Sequence, residues 1–296
     1  MWAKGKAARR QVASPLTSHQ PPITWKPDYK LLRREQLLGK VAYRPLAQGG
    51  GVTFTVDSTG DGEDANPGNG TCATSGGVCT LRAAIEEANE TAATDTIAFN
   101  ISGSGPHTIQ PGSELPALEE TVIIDGTTEP DFSGTPVIEL DGSSAGASAD
   151  GLEVEASNTV IRGLVINQFD DDGLDVDDGL TGIVIEGNYI GTNVAGTAAL
   201  GNGSDGIDLS AGGNTIGGTA AGKGNLISGN SSFGLKMSDE DADGNVIQGN
   251  IIGTNVSGTA ALGNGLDGIY IQNGKGASLI MAGPSVTINN GALAVI

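Results

Sequence analysis

Beyond Thr96 the apolar positions fall in short runs broken by Gly, Asn, Asp and Thr, and no stretch holds a 3.6-residue period. Ile97, Phe99 and Ile101 alternate, and Val122–Ile124 and Val137–Leu140 follow as further short β runs. From residue 151 the runs fall into register. Gly151-Leu-Glu-Val, Gly173-Leu-Asp-Val, Gly206-Ile-Asp-Leu, Gly234-Leu-Lys-Met and Gly268-Ile-Tyr-Ile open successive coils of 22, 33, 28 and 34 residues. A second strand recurs within each coil, at Arg162-Gly-Leu-Val-Ile, Glu186-Gly-Asn-Tyr-Ile, Lys223-Gly-Asn-Leu-Ile and Gln248-Gly-Asn-Ile-Ile. Residues 187–210 and 249–272 are identical at 18 of 24 positions, so two coils are close copies. Strands that keep their place while connections vary in length are the mark of a solenoid.

Upstream, Val52, Phe54 and Val56 alternate as a strand, and Leu81, Ala84, Ile85 and Ala88 make one apolar stripe at helical spacing, with Thr80 as the N-cap. So short an amphipathic helix needs an apolar surface to lie on. The pattern predicts an all-β fold, a right-handed parallel β-helix from residue 96 to 296, with segment 52–95 closing its N-terminal end through the helix. Helical repeats and leucine-rich repeats are excluded by the missing 3.6-residue period and the sparse leucine. Asn188, Asn225 and Asn250 hold equivalent places, so an amide ladder is expected at a bend.

Charge divides the chain. Residues 1–51 carry 10 Lys/Arg against Asp28 and Glu35, whereas residues 52–296 carry 5 against 33 Asp/Glu. The basic, proline-containing arm reads as disordered, or as a start placed upstream of the true one. It lacks the apolar core of a secretory signal. The acidic body repels nucleic acid and anionic membranes and attracts cations, Ca²⁺ above all. With no apolar run of 18 residues, no transmembrane segment is expected.

The stretch from Val52 to about Gln272 resembles bacterial extracellular right-handed parallel β-helix (pectin-lyase-like) proteins with an N-terminal CSLREA-type segment. The resemblance rests on Thr53-Phe-Thr-Val, the acidic loop Asp57–Gly70, Cys79-Thr-Leu-Arg-Ala-Ala-Ile-Glu-Glu-Ala-Asn, Ile123-Ile-Asp-Gly-Thr-Thr and the paired Ile-Gly-Thr-Asn blocks. Thr80 and Ala83 stand where the family has Ser and Glu, so the reciprocal contact of a capping box is lost. The resemblance implies an extracellular or cell-surface location more than any activity.

In a secreted context, Cys72 and Cys79 are expected to form a disulfide; no His or further Cys lies near to make a zinc site. Asp57, Asp61 and Asp64 have the oxygen spacing of a partial Ca²⁺ loop, set against a solvated Asp/Gly turn. Asp150, Asp172, Asp205 and Asp267 each precede a coil-opening glycine; Phe233 interrupts the series. The densest acidic cluster, Asp170 to Asp178, offers Asp171 and Asp175 as paired carboxylates for a Ca²⁺-dependent polysaccharide lyase or glycoside hydrolase. His107 is the only histidine outside the arm and cations are scarce, so a non-catalytic structural or adhesive module is preferred. Its expected partner, an extracellular glycan or a surface protein, would meet the uncharged inserts 192–203 and 254–265 through Asn193, Asn202, Asn255 and Asn264, unless these inserts only pack on one another.

Overall fold

The computed structural model describes residues 50–238 and 242–272, together with the strands at 280–281, 287–288 and 293–295. The basic arm therefore lies outside the described residues except for Gly50 and Gly51. The fold is mostly β, with one α-helix among the described residues and three all-parallel sheets of eight, seven and six strands. That is consistent with a parallel β-helix. From Val122–Asp125 on, each coil contributes one strand to each sheet in turn. The coil beginning at Val184–Glu186, for example, continues through Tyr189–Ile190 to Ile207–Leu209.

Register explains the interior. In the first sheet, Ile124, Ile161, Ile185, Ile216 and Ile247 stack in one inward column. Leu140, Ile166, Ile190, Ile227 and Ile252 do so in the second, and Leu152, Leu174, Ile207, Leu235 and Ile269 in the third. All are essentially inaccessible to water. Each such side chain contributes about 1.5–3 kcal/mol by leaving water, and like shapes stacked at ~4.8 Å pack without voids. The coil-opening glycines are needed because a Cβ at Gly173 would meet the Gly206 carbonyl oxygen at 2.6 Å. The repeat pattern had shown only the second and third strands of each coil. The first, such as Val160–Arg162 and Val246–Gln248, has a single buried residue in three and leaves little periodic signal.

Helix α1 (Leu81–Ala88) turns Leu81, Ala84, Ile85 and Ala88 into the same core as Phe54, Val56 and Ile97. Thr80 caps it as expected, its Oγ1 accepting the Ala83 N–H at 3.1 Å and donating to the Gly62 carbonyl at 2.6 Å. Arg82 is buried beside the stripe. It donates to both Asp61 oxygens (2.9 and 3.1 Å) and to the carbonyls of Ser113 and Glu114, joining the acidic loop to the first coil. Cys72 and Cys79 form a disulfide, closing a loop whose constraint on the unfolded chain is about 2.5 kcal/mol in the entropic account. No described helix is long and apolar enough to cross a membrane.

Candidate functional site

The outer face of the third sheet carries the acidic cluster in two columns. Glu153, Asp175, Asp208, Lys236 and Tyr270 are register partners at the strand centres. Asp150, Asp172, Asp205 and Phe233 occupy the turn before each strand. Along that turn column, each carboxylate accepts the next coil's backbone N–H. Asp172 N–H donates to Asp150 Oδ1 at 2.8 Å, Asp205 N–H to Asp172 Oδ1 at 2.6 Å, and Phe233 N–H to Asp205 Oδ1 at 2.7 Å. Phe233 ends this series and instead stacks on Tyr270, with ring centroids 4.4 Å apart.

Crowding shifts the acids. Burial, reinforced by Asp175, Asp172 and Asp171, pushes Asp150 up to about 8 against the bond from Asp172 N–H. Burial, with Asp205 and Asp208 adding to it, pushes Asp172 up to about 7. Asp171 and Asp208 are also raised, chiefly by burial. Lys236 donates to Asp208 Oδ2 at 2.7 Å; burial pulls its amine down, but Asp208 and Asp205 outweigh that and hold it above its ordinary value. One oxygen each from Asp150, Asp171 and Asp172 lies within 4.8 Å of the others, as does one each from Asp172, Asp175 and Asp208. Asp171 and Asp175 thus sit in two overlapping groups joined through Asp172. Chemically the arrangement can share protons, or offer oxygens to a divalent cation.

These shifts fix a sign. The native state holds protons on Asp150 and Asp172 at pH values where the unfolded chain, with carboxyl pKa near ~3.9, has released them. Their contribution to stability is full below the unfolded value and is lost as pH rises through about 7 to 8. Thermal unfolding is therefore expected at a higher temperature near about pH 5.5 than near about pH 8.5, with Asp150→Asn/Asp172→Asn flattening the difference. An unchanged pH profile in that variant would contradict the assignment. Asp125 behaves oppositely. Burial raises it, but bonds from Arg162 and Thr127 outweigh burial and hold it below its ordinary value, so its contribution falls away only in acid below this window.

The other predicted residues do not converge. Asp57 Oδ1 accepts the Cys79 N–H at 2.9 Å, Asp61 holds Arg82, and Asp64 accepts the N–H groups of Asn66 and Ala73 at 2.7 Å each. Asn202 and Asn264 are buried, and with Asn230 they form an amide ladder, each Nδ2 donating to the next Oδ1 at 3.0 and 3.2 Å. Asn193 and Asn255 close hairpins, their Oδ1 atoms accepting from Thr197 and Ala198 and from Thr259 and Ala260.

The hairpins lie over the outer face of the second sheet. Val165, Tyr189, Leu226 and Ile251 are partners in its outward column, and Val194 and Val256 from the two inserts pack on them as a second apolar cluster. The inserts also bond to each other, Val256 N–H to the Gly196 carbonyl at 2.9 Å. A Cβ at Gly196 would meet Leu226 and Val256 at 2.9 Å, so only glycine lets the insert lie this close. That Tyr189 sits under this cover has a sequence signal: an aromatic residue beside Ile190, on the strand's other face.

The site's polar groups, then, mainly tie coil to coil. A family model described as the phage baseplate V C-terminal trimerisation domain matches residues 226–294. The match begins at strand Leu226–Ile227, and part of it falls outside the described residues. No curated protein matches the chain.

Proposed function

We propose that the chain is a non-catalytic structural module: a right-handed parallel β-helix, closed at its N-terminal end by segment 52–95, that works outside the cell or on its surface. One observation carries this reading. The Asp column and the Asn ladders spend their oxygens and amides on the N–H and C=O groups of the neighbouring coil, as building elements do. The disulfide fits an oxidising location, and right-handed winding is the rule for parallel crossovers. The match of residues 226–294 to a trimerisation domain supports self-association, and the insert-covered face supports display toward a glycan or a surface protein.

A second reading, a Ca²⁺-dependent polysaccharide lyase or glycoside hydrolase, draws on the overlapping carboxylate groups around Asp172. Under it the cation would sit there rather than at Asp57, Asp61 and Asp64, each held by its own partner. Incubating the protein with acidic and neutral polysaccharides, with and without Ca²⁺, separates the two. The structural reading expects no new reducing ends and no unsaturated uronides. Product that disappears in Asp171→Asn or Asp175→Asn would establish the enzyme instead.

A further inference from the structure

A groove of about 310 Å³ opens on the outer face of the second sheet, beside the two inserts. Its floor is Tyr189, Leu226 and Ile251. Val256 of the upper insert forms one wall, and the turn through Thr219, Ala220 and Gly222 forms the other. That turn belongs to residues 218–224, an insertion between the first and second strands of one coil.

Three features of the groove restrict what it can hold. First, none of its 14 lining residues is charged, in a body that carries many carboxylates. Lys223, within the insertion, is not part of the lining and is ion-paired with Glu186. Second, six of the 14 are glycines, so much of the wall is bare backbone, a source of neutral donors and acceptors. Third, the ring of Tyr189 is largely buried, while its hydroxyl is open to water and bonds to no protein group among the described residues. Burial raises the phenol above its ordinary value, so it stays protonated and able to donate. A phenol hydroxyl that faces water from a mostly buried ring is free to exchange that water for a ligand oxygen. Asn225 also lines the groove, but its amide is committed to the ladder with Asn188 and Asn250.

We propose that this groove binds a neutral sugar, the C–H face of the ring lying on the half-buried Ile251 and Val256 and a ring hydroxyl bonded to Tyr189. A charged sugar would lose its hydration and gain no counter-charge there. A wholly apolar ligand would leave the phenol and the backbone wall unsatisfied. The volume is at the lower end of small-ligand sites, roughly 300–1,000 Å³, which suits one or two sugar rings. The inference deepens the display reading and rests on it: the module holds the sugar without cleaving it.

Titration calorimetry of the full chain with cellobiose, maltose and lactose tests this, alongside Ala220→Trp, which fills the groove from an exposed position, and Tyr189→Phe, which removes only the hydroxyl. Saturable binding of at least one disaccharide is expected. It should weaken at least tenfold in Ala220→Trp and about three- to tenfold in Tyr189→Phe, the worth of one hydrogen bond, with melting temperatures unchanged. Binding that neither variant weakens, or no binding by the wild type up to about 20 mM, where even a millimolar site would show, would overturn the groove. Free monosaccharide is measured in the same samples. Its appearance would sink the non-catalytic reading, independently of whether the groove holds the sugar.

Discussion

Replacing Asn225 with alanine is expected to lower the stability of the fold by about 3–5 kcal/mol, a large share of what a domain possesses. Asn225 is 1% exposed, at the bend between the first and second strands of its coil. Its Oδ1 accepts both the backbone N–H (2.9 Å) and the side-chain amide (3.2 Å) of Asn188. Its own amide donates to the Ile185 carbonyl at 2.8 Å and to Asn250 Oδ1 at 3.0 Å. Alanine leaves a backbone N–H and a backbone C=O in a dry interior, each costing about 1–3 kcal/mol when orphaned, and opens a cavity as well. Denaturant unfolding measures the loss. Asn193→Ala is the control, since it removes only hairpin-closing bonds at a half-buried surface position. A loss below about 1 kcal/mol at Asn225 would mean that the ladder contributes little.

The second large effect is expected at the helix. Leu81 and Ile85 are fully buried against the first strands, and the double change Leu81→Asp/Ile85→Asp removes two apolar contacts and places two carboxylates in the core. Lost burial alone is about 3–6 kcal/mol, before any cost of burying charge. The helix should detach, uncovering apolar surface beside Thr53–Val56 and Asp95–Phe99. Exposed strand surface recruits other chains, so the variant should aggregate on size exclusion and melt far below the parent. A monomeric variant with unchanged melting would contradict the capping role.

How much of this was legible in the sequence depended on what each signal needed. Aliphatic pairs after glycine revealed the second and third strands, since Leu174, Val176, Leu226 and Ile227 are adjacent or alternate. The helix and its Thr80 cap were legible because both are local. First strands such as Val160–Arg162 and Val246–Gln248 were obscured because each buries a single residue, and the amide ladder foreseen at Asn188, Asn225 and Asn250 turned out to have counterparts at the other bends. Asn202, Asn230 and Asn264 line the corner before the third strand, and Asn214 and Asn245 the corner before the first. In sequence these asparagines look like any loop asparagine. Whether an amide points inward is decided by the coil stacked above it, which also decides that Asn202 is buried while Asn193, nine residues earlier, closes an exposed hairpin. The Tyr189 groove needed three separate segments in place at once, so no local pattern could mark it.

The central claim is that the buried amides and carboxylates bind coil to coil and are not held open for a ligand. Native-state hydrogen exchange tests it most directly at the backbone N–H groups of Asn188, Asn202, Asn225 and Asn230, each of which donates to an asparagine Oδ1 of the next coil. The account predicts that these four exchange only through global unfolding, with protection equal to that of the central strands and far above that of Thr197 and Thr259 in the hairpins. Exchange at the four as fast as in the hairpins would contradict it, showing ladders that open and amides free to meet a partner.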